Sequence, residues 1–482
     1  MMNKIEIYFN KTVNLLKTRD FLVAIAIVLV NVILRSINLT KNNLWFDEQF
    51  SLFWSQFENI KDIKNVSEWD VVPPGFNLIV HYWTSFFGIN EFSIRFLSCL
   101  AMSLAGGLVY IITKRTFNFK AAVIASVLFL VNTNLFYYSQ ESRSYACQML
   151  LVAISSWLFI SLIKKPNLIY VILLGSVNYY LFYIHFATLF LFFWQFVFAA
   201  LYFKNNLLNW YLFSGGVFLY LLFPFIPRVV SLVQSNGQNF WLEKPTLHDL
   251  RVYIEEYFNA NYIGLFIAIL SIIGLFYFIK KYNTESKKTS PQLIYFFLTG
   301  FGLIVLAYIE STLRAPLFLK RYILISNIGV MITVSYLISQ IPMSRKLFMG
   351  IIGLITIFGL YTINYNTYKG WNYKRQMAIV NYLKTPSTAI LTDNELEFYY
   401  YNQELFKHTS NLSATLSKEN IFIVYDAAML SKIDLSKFNK LIICNTWKNN
   451  HDLIKEELHK KFTKSSEIIF ENDACKTYIY IK

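Results

Sequence analysis

Charged residues make up only 15% of the 482 residues, so the positions able to do chemistry are few. Asp47 and Glu48 are adjacent in the string Asn43-Leu-Trp-Phe-Asp-Glu-Gln-Phe, just beyond the first long apolar run. A carboxylate at that level can take a proton from an attacking hydroxyl. As solvated loop charge the same pair would do nothing catalytic. Glu141 precedes Arg143 by two residues in Tyr137-Tyr-Ser-Gln-Glu-Ser-Arg-Ser-Tyr-Ala, and Lys320-Arg321-Tyr322 opens another apolar run. Arginine and lysine there can hold a phosphate through charge-assisted hydrogen bonds, or can snorkel to the interface for packing reasons alone. Arg95 could serve a phosphate or pair with Glu91. Between these groups lies Asp70-Val-Val-Pro73-Pro74-Gly75, followed by His81. His81 and His185 stand alone in aromatic surroundings, which reads first as hydrogen-bonded packing and second as ligation. No Cys/His cluster has zinc-site spacing. Cys99 and Cys147 fall in apolar runs, while Cys444 and Cys475 fall in the polar tail, where a disulfide would need proximity that spacing cannot supply.

The elements that must position these groups are mostly membrane helices. A run of about 20 apolar residues covers the hydrocarbon core. Such runs occur near 21–39, 92–113, 121–138, 144–163, 167–185, 187–203, 210–227, 258–279, 292–309, 322–341 and 347–364, an expectation of about eleven spans. The first has no small-residue cleavage site after it and reads as a retained helix. Basic clusters at Lys11/Lys17/Arg19, Lys114/Arg115/Lys120, Lys164/Lys165, Lys204, Lys280/Lys281/Lys287/Lys288 and Arg345/Lys346 all fall on the N-terminal side of the membrane if every run crosses it. The positive-inside rule makes that side cytoplasmic, and an odd number of spans then puts the tail outside. Residues 40–91 form a first outer loop rich in acids, with two amphipathic stretches, Leu44–Ile60 and Gly75–Phe87, that read as interfacial helices. The tail, 365–482, is polar enough for a small α/β domain. Strands are expected at Thr388–Asp393, Asn420–Asp426, Lys440–Asn445, Ser466–Phe470 and Thr477–Lys482, with a helix over Asn449–Phe462.

The net charge of +15 is dispersed over helix ends and tail, with no basic face carrying interleaved aromatics, so nucleic acid is excluded as a partner. The main alternative from another class is a lipid or solute transporter or flippase. That reading wants charges near the bilayer midplane, whereas here the span interiors are nearly uncharged and no inverted repeat is evident.

In order and spacing over 21–341, these motifs resemble the GT-C glycosyltransferases, in particular the protein O-mannosyltransferase and lipid A aminoarabinose transferase group. Also in the set are Phe86-Phe-Gly-Ile-Asn-Glu-Phe-Ser-Ile-Arg and Phe240-Trp-Leu-Glu-Lys-Pro-Thr-Leu. The resemblance implies a mainly α, polytopic GT-C-type bundle over 1–364 and an extracytoplasmic α/β domain over 365–482, in a bacterial inner or cell membrane. It implies transfer of a sugar from a polyprenyl-phosphate donor to a hydroxyl of a lipid, protein or polysaccharide acceptor, with inversion. The family's Asp-Glu pair falls on Asp47 and Glu48, its Pro-Pro loop on Pro73 and Pro74, its acidic-x-Arg turn on Glu141 and Arg143, and its Arg-Tyr on Arg321 and Tyr322. Asp47 is then the expected general base, with Glu48 and Glu141 as neighbours that orient the acceptor or tune the base. Arg321, Lys320, Arg143 and Tyr322 are expected at the donor phosphate, and Asp70, Pro73, Pro74 and His81 at the acceptor loop. No cofactor is required for a phosphate-linked donor, although a divalent cation could assist; no metal ligands are assigned. Relatives often have His where this chain has Val72, and Leu where it has Gly75. The role of that His would be lost here or moved, His81 being the candidate.

Overall fold

The computed structural model describes residues 19–65, 72–204, 206–227, 230, 243–257, 262–285, 290–314, 316–365, 373–401, 412–445, 450–460, 462–469 and 476–482. Asp70 and Cys475 lie outside these residues. The chain divides into two compact units, one of Met1–Ile37, Ser67–Phe76 and Arg95–Tyr365, the other of Asn38–Val66, Asn77–Ile94 and Asn366–Lys482.

The first unit is helical and its outward surface is apolar, as lipid contact requires. Among the described residues six helices are long and apolar enough to cross a membrane: Glu91–Thr116, Ser144–Lys164, Asn206–Phe225, Tyr262–Lys281, Pro291–Leu313 and Arg345–Thr362. A bent pair, Phe119–Val131 and Thr133–Ser139, raises the number to seven at most. This corrects the expectation of about eleven. Apolar runs count residues in a row, whereas a span also needs an unbroken helix. Asn132 caps the second half of the 121–138 run by accepting from the Leu135 amide at 2.8 Å, and the axis turns there by 59°. The His185 ring accepts from the Ala187 amide at 3.1 Å and starts a 3₁₀ turn, Phe186–Thr188, which separates Leu168–Ile184 from the next helix. The 322–341 run begins with a single turn, Lys320–Ile323, and leaves a 14-residue helix, Ser326–Ser339. At 1.5 Å per residue that helix is roughly 20 Å long, short of a core about 30 Å thick. The first run forms Arg19–Arg35, 17 residues. With this count the odd-number argument for the side of the tail loses its basis.

Interior contacts between these helices rely on small and polar residues, since apolar burial gives little preference over lipid. An added Cβ on Gly300 would strike the Val330 amide, and one on Gly329 the Phe296 carbonyl, so the two glycines set a close helix crossing. Asn178 donates to Gln195 at 3.1 Å, Gln195 to Ser155 at 3.0 Å, and Tyr295 to Ser156 at 3.2 Å.

The second unit holds a five-stranded sheet: β1 Thr388–Thr392, β2 Ile421–Ile423, β3 Lys440–Asn445, β4 Thr463–Ile469 and β5 Lys476–Ile481, in order β2-β1-β3-β5-β4. Its β2-β1-β3 part is parallel, while β5 and β4 add antiparallel. All five strands lie where expected, and the helix Asn450–His459 fills the expected Asn449–Phe462 segment. The loop helices Phe46–Ser55 and Ile60–Asn65 also belong here. Phe53, Phe57 and Ile63 share a core with Val380, Ile390, Leu396 and Phe398. Helices Phe46–Ser55 and Ile60–Asn65 are thus docked on protein, with one apolar face covered by the α/β fold.

Candidate functional site

In the second unit the acidic pair is divided by its helix. Phe46–Ser55 begins at Trp45, and the fully buried Glu48 turns back to accept from the Trp45 amide at 3.2 Å. Such a contact satisfies one of the orphan donors of a helix start. Asp47, one residue earlier, remains half-exposed on the same first turn. The two acids therefore differ in burial: Glu48 is enclosed and holds the helix end, whereas Asp47 is half-exposed. His81 donates through Nδ1 to the Ser55 carbonyl at 2.8 Å, a helix-to-helix contact. Glu91 accepts from Tyr401 at 3.2 Å, which also accepts from the Leu44 amide at 3.0 Å.

In the first unit a different set converges. Arg35, completely buried, donates to Ser139 Oγ at 3.2 Å, to the Phe129 carbonyl at 3.0 Å and to Asn31 at 3.2 Å. Gln140 answers by donating to the carbonyls of Arg35 at 3.0 Å and Ile37 at 2.7 Å. The bend at Asn132 lies three residues beyond Phe129, whose carbonyl accepts from the Arg35 guanidinium. This clamp fixes the turn carrying Glu141, 1% exposed, and Arg143, the N-cap residue of Ser144–Lys164. Across from the turn, the Arg321 guanidinium lies 5.6 Å from the Tyr322 ring centre, and the Tyr322 ring lies 4.8 Å from His185. Tyr145 stands 5.9 Å from His185 and 5.2 Å from Tyr138. The charges of Arg143 and Arg321 both act on His185 and on Tyr145, and that of Glu141 acts on Tyr138 and Tyr145. Glu141, Arg143, Arg321 and Tyr322 thus form one neighbourhood. Lys320 is separated from it in role, because its ammonium pairs with Glu256.

A cavity of about 530 Å³ opens beside this neighbourhood. Its walls are apolar, with Phe186, Phe190, Phe193, Leu306 and Leu317 prominent, and Val72 and Pro73 also line it. Its polar groups are few: His185, Tyr322, and the Glu310–Arg314 pair at 3.7 Å. The volume and the scarcity of polar groups suit a small-molecule site. Because Nδ1 of His185 accepts from Ala187, the ring proton of the neutral imidazole sits on Nε2. That Nε2 is buried and has no hydrogen-bond partner among the described residues. Gly75 closes the Pro73-Pro74 segment against Leu168–Ile184: a Cβ there would strike the Tyr183 carbonyl, and the Gly75 carbonyl accepts from Tyr180 at 3.1 Å. This close approach requires glycine at position 75.

Arg35, His185, Tyr145 and the Glu310–Arg314 pair were not singled out as site residues by the motifs. For His185 a signal existed, a polar residue between two apolar runs; for Arg35 it was a lone charge at a span's end. No group of three or more His, Cys, Asp or Glu able to hold a metal occurs among the described residues.

Residues 71–230 match the family model described as dolichyl-phosphate-mannose-protein mannosyltransferase. A search of curated proteins finds no significant match. ArnT from Cupriavidus metallidurans bound to undecaprenyl phosphate superposes with a TM-score of 0.59 at 10% identity, covering 95% of this chain and 97% of that one. The Archaeoglobus fulgidus oligosaccharyltransferase in its apo form gives 0.50 at 9%, covering 87% and 69%. Its complex with Zn and sulfate gives 0.50 at 10%, covering 87% and 68%. At these identities the likeness is one of fold. The family match over 71–230 and the fold shared with ArnT agree with the resemblance read from the motifs: residues 71–230 are similar to that mannosyltransferase family, and the chain is a multi-pass, mainly helical membrane protein with a fold like that of ArnT.

Proposed function

We propose that the chain transfers a sugar from a polyprenyl-phosphate carrier to an acceptor hydroxyl at the outer face of the membrane, with inversion at the anomeric carbon. The observation that carries this reading is the cavity of about 530 Å³, apolar along its walls and bordered by His185 and Tyr322 next to Arg321 and Arg143. An isoprenoid chain needs the apolar wall; its phosphate needs the cations. In the reaction the acceptor oxygen attacks the anomeric carbon, the bond from that carbon to the phosphate oxygen breaks, and the lipid phosphate leaves with the electron pair. Asp47 accepts the hydroxyl proton. Arg321 and Arg143 stabilise the phosphate charge as it develops, the His185 Nε2–H adds a neutral donor, and Glu141 orients the acceptor or the arginines. Lys320, held by Glu256, is outside this set. Asp70, Pro73, Pro74 and His81 remain assigned to the acceptor loop.

The charge pattern supports the placement at the outer face without counting spans. Helix Ser144–Lys164 carries Lys164 and Lys165 at one end and the Glu141–Arg143 turn at the other. By the positive-inside rule the first end is cytoplasmic and the turn is outside. Helix Arg345–Thr362 starts at Arg345 and Lys346, so it delivers the tail to the outer face. The deciding experiment is turnover of a radiolabelled polyprenyl-phosphate sugar by purified protein in nanodiscs, with release of polyprenyl phosphate as readout. Transport of the intact carrier without release of free polyprenyl phosphate would favour the flippase reading instead. A reporter active only in the cytoplasm, fused after Lys482, is expected to be silent.

A further inference from the structure

A second cavity, about 170 Å³, sits at the basic ends of Glu91–Thr116 and Ser144–Lys164, beside the start of Leu168–Ile184. Arg115, Thr116, Trp157, Lys164, Lys165 and Tyr170 line it. It has a third of the volume of the cavity of about 530 Å³, and the carrier proposed above uses none of its residues.

Three cations surround it, and the helices that carry them bring no acid to this end; Asp20, on Arg19–Arg35, acts on Tyr110 together with Arg19. From Phe92 to Leu242 the sequence contains a single acid, Glu141. Glu141 precedes the far end of Ser144–Lys164, roughly 30 Å from Lys164 at 1.5 Å per residue. The two helix C-termini at the cavity supply about −0.5 each and the N-terminus of Leu168–Ile184 about +0.5. Counting the three side-chain cations and these helix ends alone, the sum is about +2 to +3. Capping the helix dipoles therefore accounts for only part of the positive charge. The rest of the lining also suits an anion at the membrane surface. The Thr116 hydroxyl oxygen is buried and has no hydrogen-bond partner among the described residues. Trp157 and Tyr170 meet edge to face with ring centres 6.3 Å apart, the amphipathic ring types enriched at the headgroup level. Lys164 donates to the Arg115 carbonyl at 2.9 Å, which ties the two basic helix ends together. Basic pockets between membrane helices are a recurrent setting for anionic headgroups.

We propose that this cavity binds the phosphate of an anionic phospholipid, as a site separate from the one that takes the sugar carrier. The ligand chemistry is a phosphodiester anion held by Arg115, Lys164 and Lys165, with the Thr116 hydroxyl as an added donor and the acyl chains leaving along the lipid-facing side of the spans.

The full-length protein, reconstituted with phosphatidylglycerol and phosphatidylcholine in equal amounts, is the material for the test. Native mass spectrometry is expected to find phosphatidylglycerol retained in preference to phosphatidylcholine. The triple variant Arg115→Gln/Lys164→Gln/Lys165→Gln should lose that preference, on the order of fivefold for each cation removed. Arg345→Gln/Lys346→Gln, at another basic helix end, should keep it. Equal retention by the triple variant and the unaltered protein would overturn the proposal. Millimolar inorganic phosphate separates the two sources of the same chemistry: displacement of the retained lipid by free phosphate would overturn the phospholipid assignment. A second arm uses only the unaltered protein, in case the triple variant does not fold. A phosphatidylglycerol with a photoactivatable headgroup should label residues within 112–116 and 157–170, and labelling elsewhere only, or equally by the phosphatidylcholine analogue, would overturn the site.

Discussion

The two units handle charge in opposite ways. The helical unit keeps Arg143, Arg321 and His185 close together beside an apolar cavity, with Glu141 among them. The unit built on the sheet contributes acids: Asp47 half-exposed, Glu48 consumed by its helix cap, and Glu397 buried facing Asp393. Arginine and the imidazole donor suit a phosphate that must be bound before and after reaction. A half-exposed carboxylate suits a proton that moves once. Under the proposed reaction the two kinds of group have different roles, phosphate binding and proton transfer, so the two kinds of mutation are expected to fail differently.

Loss of the base should have the largest effect. Asp47→Asn preserves size and hydrogen bonding but cannot take the proton, so turnover should fall by about 10²–10⁴-fold with donor affinity unchanged. Glu48→Gln should be mild, because an amide oxygen can still accept from the Trp45 amide. Single-turnover rates and donor binding, measured separately in nanodiscs, check both. A dead Glu48→Gln beside a wild-type Asp47→Asn would reverse the assignment of the base.

Arg321→Ala should come next, lowering kcat/KM by about 10²–10³-fold, by analogy with removing one oxyanion donor. Unlike Asp47→Asn, it should also weaken binding of the unreactive polyprenyl phosphate, and titration of that product is the discriminating measurement. Lys320→Ala should fall well below it in effect, since Lys320 is engaged by Glu256. A reversed order would move the donor phosphate away from Arg321.

His185→Phe removes one neutral donor while retaining an aromatic ring in the cavity wall. A net hydrogen bond contributes about 0.5–1.5 kcal/mol, so donor KM should rise by roughly 3–10-fold with kcat nearly kept. Equal KM values for variant and parent would show that the Nε2–H does not meet the donor.

The smallest expected effect is on stability, in the sheet unit. Burial, with Asp393 nearby, pushes the Glu397 carboxyl well above its ordinary value. The folded state then holds a proton that the unfolded chain releases above about pH 4.5. Stability from this group is therefore complete at lower pH and declines as pH rises from there toward the folded pKa. Glu397→Gln should raise the melting temperature at pH 7.5 by a few degrees, and the gain should shrink toward pH 4.5. A gain that grows on acidification would contradict the buried neutral acid.

Much of this was legible in residue order. Short runs rich in Ile, Val, Leu, Phe and Tyr marked the five strands, although β1 is buried along its whole length and shows no alternation. The pairing of Asp47 with a helix start, and the motifs at Glu141–Arg143 and Arg321–Tyr322, could be read from local strings. The number of helices able to span was not legible, because hydropathy cannot weigh the cap at Asn132 or the His185 break against the apolar residues around them. Nor could spacing say that Arg35 holds the Glu141 turn across 104 residues to Ser139, that Glu256 takes up Lys320, or that Glu48 turns inward while Asp47 does not. Sequence by itself determined a membrane chain with an α/β tail and the inventory of groups able to do chemistry, because both follow from composition and local pattern. Tertiary structure alone decided which of those groups share a cavity and which are spent on holding helix ends, because a buried donor or charge must find its partner wherever in the chain the fold brings one.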